Sequence, residues 1–388
     1  MKEVGIYVHI PFCKHKCYYC DFISFADKNS LIDEYIKWLN YEIKEVGQGN
    51  RLDYENKLDD LVFVKTIYIG GGTPSFIESK YITEILKTIK ENFVVDEDAE
   101  ITVEMNPGTV DENKLKDYYN CGINRLSIGL QETNNALLKE IGRIHTYEDF
   151  ENTYSLARNV GFKNINVDLM LGLPNQNILD LENSINKILD LDPEHISVYS
   201  LILEENTVLK NKVDQGILTL PEDEMERKMY YTVKNMLENN GYIHYEISNF
   251  AKKGFESKHN LDCWNQKEYM GFGAAAHSYT NNFRFSNIEN IEEYINNFKN
   301  NKEEDNLIFH EKQNRESKMK EYMMLGLRKI EGVNIQQFKN KFVENPIFIF
   351  RKEIEKLVNE ELLEVDGNFI KLTKKGLDLA NLVWEEFV

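Results

Sequence analysis

No stretch of this 388-residue chain runs for roughly 18 apolar residues without interruption, so nothing in it reads as a bilayer-spanning helix. The N-terminus passes from Met1-Lys2-Glu3 directly into the strand-like Val4-Gly5-Ile6-Tyr7-Val8, without the apolar core and small-residue cleavage site of a secretory leader. A cytoplasmic protein is expected, with peripheral membrane contact left open. Positive charge is scarce: Lys and Arg number 46 against 65 Asp and Glu, a net charge of -19, which works against attraction to phosphate backbones and argues against a nucleic-acid partner. Repeats at a solenoid period are absent. Cysteine is sparse and odd in number, five in all, with Cys121 and Cys263 far apart, which does not read as a disulfide framework. Three of the five, Cys13, Cys17 and Cys20, nevertheless fall within eight positions, and clustered thiols in a reducing compartment favour metal.

Six β-rich runs punctuate the first half: Val4 to His9, Lys65 to Ile69, Glu100 to Met105, Asn124 to Ile128, Asn164 to Leu169 and His195 to Leu201. Helix-period segments alternate with them, most clearly Ile32, Tyr35, Ile36, Leu39, Ile43 and Val46 at three- and four-residue spacing. Strand alternating with helix predicts parallel βαβ units, here an α/β fold with a partial six-unit TIM-like barrel. Each run is followed by a polar or glycine-rich feature: the cysteine loop, Gly70-Gly71-Gly72-Thr73-Pro74, Glu104-Met105-Asn106-Pro107, Gly129-Leu130-Gln131, Gly172-Leu173-Pro174, and Tyr199 with Ser200. In a parallel barrel those strand ends form the rim on which ligand sites are built. The expected units are a barrel over 1–235, a connecting segment over 236–305, and a small α+β domain resembling a winged helix over 306–388. The acidic stretch Asn300 to Asp305 marks the last junction, and Leu362 to Leu372 reads as a hairpin turning at Asp366-Gly367-Asn368.

The spacing C-x3-C-x2-C lets one loop direct three sulfurs at a common centre. Structural zinc needs a fourth ligand, for which His9 or His15 is available, and would make this a zinc-stabilised interaction protein. An iron–sulfur cubane held by three thiolates keeps one iron open to a non-protein ligand.

That motif after a first barrel strand resembles the radical S-adenosylmethionine (SAM) superfamily, in which a 4Fe–4S cluster binds SAM at its open iron and reductively cleaves the sulfonium bond. Within the superfamily, Tyr7-Val8-His9-Ile10-Pro11-Phe12-Cys13 and Gly70 to Pro74 are similar to the oxygen-independent coproporphyrinogen III oxidase group over nearly the whole chain. The resemblance implies that Tyr7, Gly71 and Glu104 contact the SAM bound to the cluster. It also implies that Tyr19, Gly72, Thr73, Gln131, Arg143, Asp168 and Ser200 match a second SAM site of the oxidases. Glycines allow close backbone approach, acids accept from an ammonium or a ribose hydroxyl, and Arg143 can fork onto a carboxylate.

The oxidases carry a further cysteine two residues after the third, where this chain has Cys20-Asp21-Phe22. That departure resembles the haem chaperone branch of the group, which binds haem and delivers it to acceptor proteins. Its H-N-x-x-Y-W motif corresponds here to His259-Asn260-Leu261-Asp262-Cys263-Trp264, with Cys263 replacing the tyrosine. The resemblance implies His259 as haem ligand and Trp264 against the porphyrin, with His277 a weaker candidate; Cys263 departs from the motif, removing the tyrosine's hydrogen bond and offering a thiol as an alternative iron ligand. It implies haem-accepting proteins and a low-potential electron donor as partners. It also implies no decarboxylation of coproporphyrinogen, the oxidase reaction standing as the alternative. Cys121, in a Cys-Gly-Ile helix exit, reads as a buried small apolar residue.

Overall fold

The computed structural model describes residues 2–49 and 62–388. Each of the six expected runs is a strand: β1 (Lys2–Ile10), β2 (Val62–Gly71), β3 (Val94–Met105), β4 (Arg125–Gln131), β5 (Ile165–Leu171) and β6 (His195–Ser200). They pair in parallel in sequence order, as right-handed βαβ crossovers dictate.

Alternation within the strands divides the side chains between two faces. Val4, Ile6, Val8 and Ile10 of β1 are buried in the core that also takes Tyr35, Ile36, Leu39 and Ile43 of the helix Ile32–Gly47. Burying aliphatic side chains of this size stabilises by about 1.5–3 kcal/mol each, which fixes which face of β1 points outward. The intervening residues point into the barrel lumen. There they are mostly polar: Thr66 of β2, Thr102 of β3, Arg125 and Ser127 of β4, Asn166 of β5, and His195 and Ser197 of β6 are all buried.

The segment expected as a connector is part of the sheet. It contributes β7 (Ile243–Glu246) and β8 (Asn249–Ala251) beyond β6, and β9 (Tyr269–Phe272), β10 (His277–Thr280) and β11 (Phe283–Asn287) on the other side of β1. β9 runs parallel to β1, whereas β10, β11 and β12 (Leu307–Lys312) return antiparallel. Strands of three to six residues are too short to display a period that sequence can register. The expected break at 305/306 therefore falls between two strands of one continuous twelve-stranded sheet.

A second core gathers Met319, Met323, Phe338, Ile354, Leu357, Ile370 and other residues up to Phe387. It begins with the helix Arg315–Gly326 and includes the helix Arg351–Asn359 and the three strands β13 (Val333–Asn334), β14 (Leu363–Asp366) and β15 (Phe369–Leu372). β14 and β15 form the expected hairpin, with Gly367 at φ +58° in its turn. Cys121 is half-buried, and its thiol donates to the Tyr118 carbonyl at 3.1 Å. Among the described residues no helix is long and apolar enough to cross a membrane.

Candidate cofactor site in the barrel mouth

The loop after β1 is stapled to its surroundings through the backbone. Cys13 N donates to Phe25 O at 3.0 Å, Phe25 N to Pro11 O at 2.8 Å, Gly72 N to Ile10 O at 2.9 Å and Thr73 N to Phe12 O at 2.9 Å. These bonds set the cysteine loop against the end of β2 before any ligand arrives. Cys13, Cys17 and Cys20 are free thiols that line one cavity of about 480 Å³ at the strand C-termini. The Thr73 hydroxyl donates to Cys13 Sγ and the Arg143 guanidinium to Cys17 Sγ, each at 3.5 Å. Burial pushes the Cys13 and Cys20 thiols up, so a cationic partner is needed to hold them as thiolates.

Two glycines are required here on steric grounds. A Cβ on Gly71, whose φ is +115°, would come within 2.7 Å of the His9 ring, and one on Gly72 would lie 2.9 Å from Cys13 Sγ and from Phe12 O. His9 Nε2 donates to Ile23 O at 2.9 Å, which leaves Nδ1 to accept from the Tyr7 hydroxyl at 2.9 Å. Burial pulls the His9 imidazole down to about 4, consistent with that neutral tautomer. Glu104 Oε1 accepts from the Tyr68 hydroxyl at 2.8 Å and Oε2 from Gly71 N at 3.2 Å, yet burial still raises its carboxyl to about 7. Arg143 donates to Asn106 Oδ1 at 2.8 Å and to the Gly129 carbonyl. Asp168, also raised by burial, accepts from Asn166 Nδ2 at 2.7 Å and from Ser127 Oγ at 3.3 Å. Gln131 adopts φ +75° just past a bulge in β4, turning its side chain into the cavity.

Of the residues singled out from sequence, Tyr19, Gly71, Gly72, Thr73, Glu104, Gln131, Arg143, Asp168 and Ser200 line this cavity with the three cysteines. Tyr7 stands behind it, reaching the rim through His9. Asn106, part of the rim feature after the third run, lines it too, and sequence reading passed over Tyr68, Arg125, Ser127, Asn166 and Ser197, which also line it. The signal was present as alternation: Arg125-x-Ser127-x-Gly129-x-Gln131 and Asn166-x-Asp168 place polar or small residues at every lumen-facing position.

His259, Cys263 and Trp264 sit elsewhere, on the helix Lys258–Trp264 at the opposite end of the lumen. His259 is buried there: Nδ1 shares a hydrogen bond with Thr66 Oγ1 at 2.8 Å, the ring stacks on Tyr68, and the backbone N donates to Glu100 at 3.0 Å. Burial, with Arg125 nearby, lowers its imidazole to about 4. Burial pushes the Cys263 thiol up to about 12. Trp264 faces the C-terminal unit, where the Arg328 guanidinium stands 4.4 Å from its ring centroid and 4.6 Å from that of Trp384. The three residues therefore share one short helix but no common open face. His277 is exposed on β10 and stacks on His310 at 5.4 Å.

The donor set favours a cubane over a single ion. Among the described residues no three His, Cys, Asp or Glu side chains are grouped as one metal ion requires. Thiolates of a cubane each bind a different iron, so three sulfurs facing one cavity without closing on one point suit it.

Residues 7–188 match the radical SAM superfamily and residues 313–379 the HemN C-terminal domain. The chain is 38% identical over 387 residues to the heme chaperone HemW of Lactococcus lactis subsp. lactis, covering 100% of this chain and 98% of that one. It is 39% identical over 386 residues to the heme chaperone HemW of Bacillus subtilis, covering 98% of each. The solved structure of the coproporphyrinogen III oxidase HemN from Escherichia coli, a radical SAM enzyme, superposes with a TM-score of 0.83 at 22% identity. That match covers 100% of this chain and 90% of that one and shows a common fold. Radical SAM membership implies a 4Fe–4S cluster and SAM, for which the thiol-lined mouth is suited. With such identity carried across both full chains, this protein belongs to the HemW family of haem chaperones within the radical SAM superfamily.

Proposed function

We propose that this protein binds a 4Fe–4S cluster, SAM and haem, and delivers haem to acceptor proteins. The observation that carries the reading is the convergence of three free thiols with Gly71, Gly72, Glu104 and Arg143 on one cavity, in a chain 38% identical to a heme chaperone. Cys13, Cys17 and Cys20 would hold the cluster, with Thr73 and Arg143 donating to sulfur. When bound, the cluster supplies electrons at low potential, drawn from a separate donor protein. Gly71 and Gly72 admit the methionyl backbone, and Glu104 as its carboxylate receives the ammonium. Arg143 and Gln131 engage carboxylate or ribose oxygens, while Asp168, Tyr19, Thr73 and Ser200 complete the polar wall. Tyr7 acts through His9, donating to the Nδ1 that is left as acceptor once Nε2 donates to Ile23 O.

Haem is proposed to meet the protein at His259, with Cys263 and Trp264 alongside. Since His259 is only 7% exposed, its ligation to iron requires the helix Lys258–Trp264 to move outward from Thr66 and Tyr68. Apolar surface for a macrocycle also exists at the cavity mouth, where Phe22 and Ile202 are 66% and 68% exposed.

The test uses anaerobically reconstituted protein. Haem titration followed by absorption should show saturable uptake, weakened in His259→Ala, while no protoporphyrinogen forms from coproporphyrinogen. Turnover without haem uptake would transfer the assignment to the oxidase reaction, and zinc without iron and sulfide would remove both.

A further inference from the structure

Asn106 follows directly on β3 and precedes Pro107, which holds its backbone to an extended conformation. Hydrogen bonds fix it further. Its N donates to Ser75 Oγ at 3.1 Å, its carbonyl accepts from Thr109 Oγ1 at 2.6 Å, and the Ser75 and Thr109 hydroxyls share a hydrogen bond at 2.6 Å. Because the Thr109 hydrogen is spent on that carbonyl, Ser75 donates to Thr109 and the ring of bonds closes. The carboxamide is oriented by the chemistry of its partners. Arg143 Nη2 approaches Oδ1 at 2.8 Å, and a guanidinium can only donate, so the amide oxygen faces the arginine. The amide nitrogen therefore faces Thr73, and donates to its Oγ1 at 3.0 Å. A threonine hydroxyl carries one hydrogen; with its oxygen accepting from Asn106, that hydrogen goes to Cys13 Sγ at 3.5 Å. On the other side Arg143 Nη1 donates to Cys17 Sγ, also at 3.5 Å. One side chain thus stands behind donors to two different cysteines.

We infer that Asn106 is a positioning residue that aims the Thr73 hydroxyl at Cys13 and the Arg143 guanidinium at Cys17, and thereby raises the reduction potential of the cluster those cysteines hold. The inference rests on the cluster reading given above. Hydrogen bonds to the sulfur ligands offset the negative charge that an added electron brings, which favours the reduced state. Neither donor is held to its sulfur without the carboxamide. The Thr73 hydroxyl rotates about its C–O bond, and Arg143 has the Gly129 carbonyl as another acceptor. Removing Asn106 therefore releases both donors at once, although Asn106 itself makes no contact with sulfur.

The experiment measures the reduction potential of the anaerobically reconstituted protein by electron paramagnetic resonance, with neither SAM nor haem added. In parallel it records the couplings of exchangeable deuterons to the reduced cluster in D2O. The unaltered protein and Asn106→Ala are compared with the Thr73→Val, Arg143→Met pair, and with that pair carrying Asn106→Ala in addition. Asn106→Ala is expected to shift the potential to more negative values and to weaken the deuteron couplings, yet to add no further shift where both donors are already gone. A merely structural asparagine would lower the melting temperature and leave the potential in place, and that outcome overturns the inference. So does an equal shift with and without the two donors, because Asn106 would then act by another route. If Asn106→Ala takes up no cluster, Asn106→Asp replaces it: the shape and the acceptor for Arg143 are kept, while the group facing Thr73 becomes an acceptor and draws the hydroxyl hydrogen away from Cys13. The deuteron coupling that disappears in Thr73→Val should then disappear in Asn106→Asp as well, and its survival overturns the inference. Unaltered protein that holds no iron and sulfide fails the cluster reading and this inference with it, whereas a loaded cluster with an unmoved potential fails the inference alone.

Discussion

Tyr68 stacks on His259 with ring centroids 5.2 Å apart and donates its hydroxyl to Glu104 Oε1 at 2.8 Å. One side chain thus touches both the acid proposed for SAM and the imidazole proposed for haem. Displacing His259 from the lumen would free one face of Tyr68 and loosen the group that holds Glu104, giving the two sites a direct physical connection.

That relationship makes SAM binding dependent on pH. Burial raises Glu104 to about 7, whereas the Tyr68 hydrogen bond opposes the rise by favouring the carboxylate. A neutral acid cannot pair with an ammonium, so SAM affinity should fall about tenfold per unit as pH drops below about 7 and level off above it. In Tyr68→Phe the bend should move to higher pH, and in Glu104→Gln it should vanish. Isothermal titration of cluster-loaded protein across this range checks both, and parallel profiles in all three proteins would refute the role of Glu104.

Gly72→Ala should impair the cluster more than the fold. The added Cβ meets backbone, Phe12 O at 2.9 Å and Ile10 O at 3.1 Å, together with Cys13 Sγ at 2.9 Å. The strand end must shift by several tenths of an ångström, at about 1–3 kcal/mol, carrying the thiol with it. Iron and sulfide content after reconstitution should drop while the far-ultraviolet circular dichroism is retained; full cluster content would show that the close approach is dispensable.

His259 should respond differently to two substitutions. His259→Ala removes the proposed iron ligand and should weaken haem binding. Thr66→Val leaves the ligand in place but deprives buried Nδ1 of its partner, making the inward position about 1–3 kcal/mol less favourable. If haem must wait for the helix to leave, association in Thr66→Val is faster than in the unaltered protein by stopped-flow absorption. Equal or slower association would count against outward movement as the route.

Arg328 holds the far end of the same helix. Its guanidinium lies between Trp264 and Trp384, contacts worth about 0.5–2 kcal/mol each. Arg328→Ala should lower the melting temperature, alter indole fluorescence and accelerate haem association. A variant with altered fluorescence and unchanged haem kinetics would uncouple this clamp from haem uptake.

The cysteine loop was legible because its three thiols are neighbours in sequence, and the rim features because each directly follows a strand whose pattern could be read. The place of Arg125 was less legible: in the run Asn124 to Ile128 it alternates with Leu126 and Ile128 alongside Ser127, but only the closing of the sheet turns that polar face into a lumen. The short strands of 243–312 were missed for a related reason, since β7 to β11 have three to five residues each and are held by partners distant in sequence.

Chain order and local spacing dictated the parallel β/α units, the thiol trio and the glycines that border it, because periodicity and tight turns depend on near neighbours. Where His259 points was settled by segments more than a hundred residues away in sequence, and the contact of Trp264 with Arg328 by the docking of the C-terminal unit. Burial and pairing are properties of the assembled core, and no stretch of chain carries them alone.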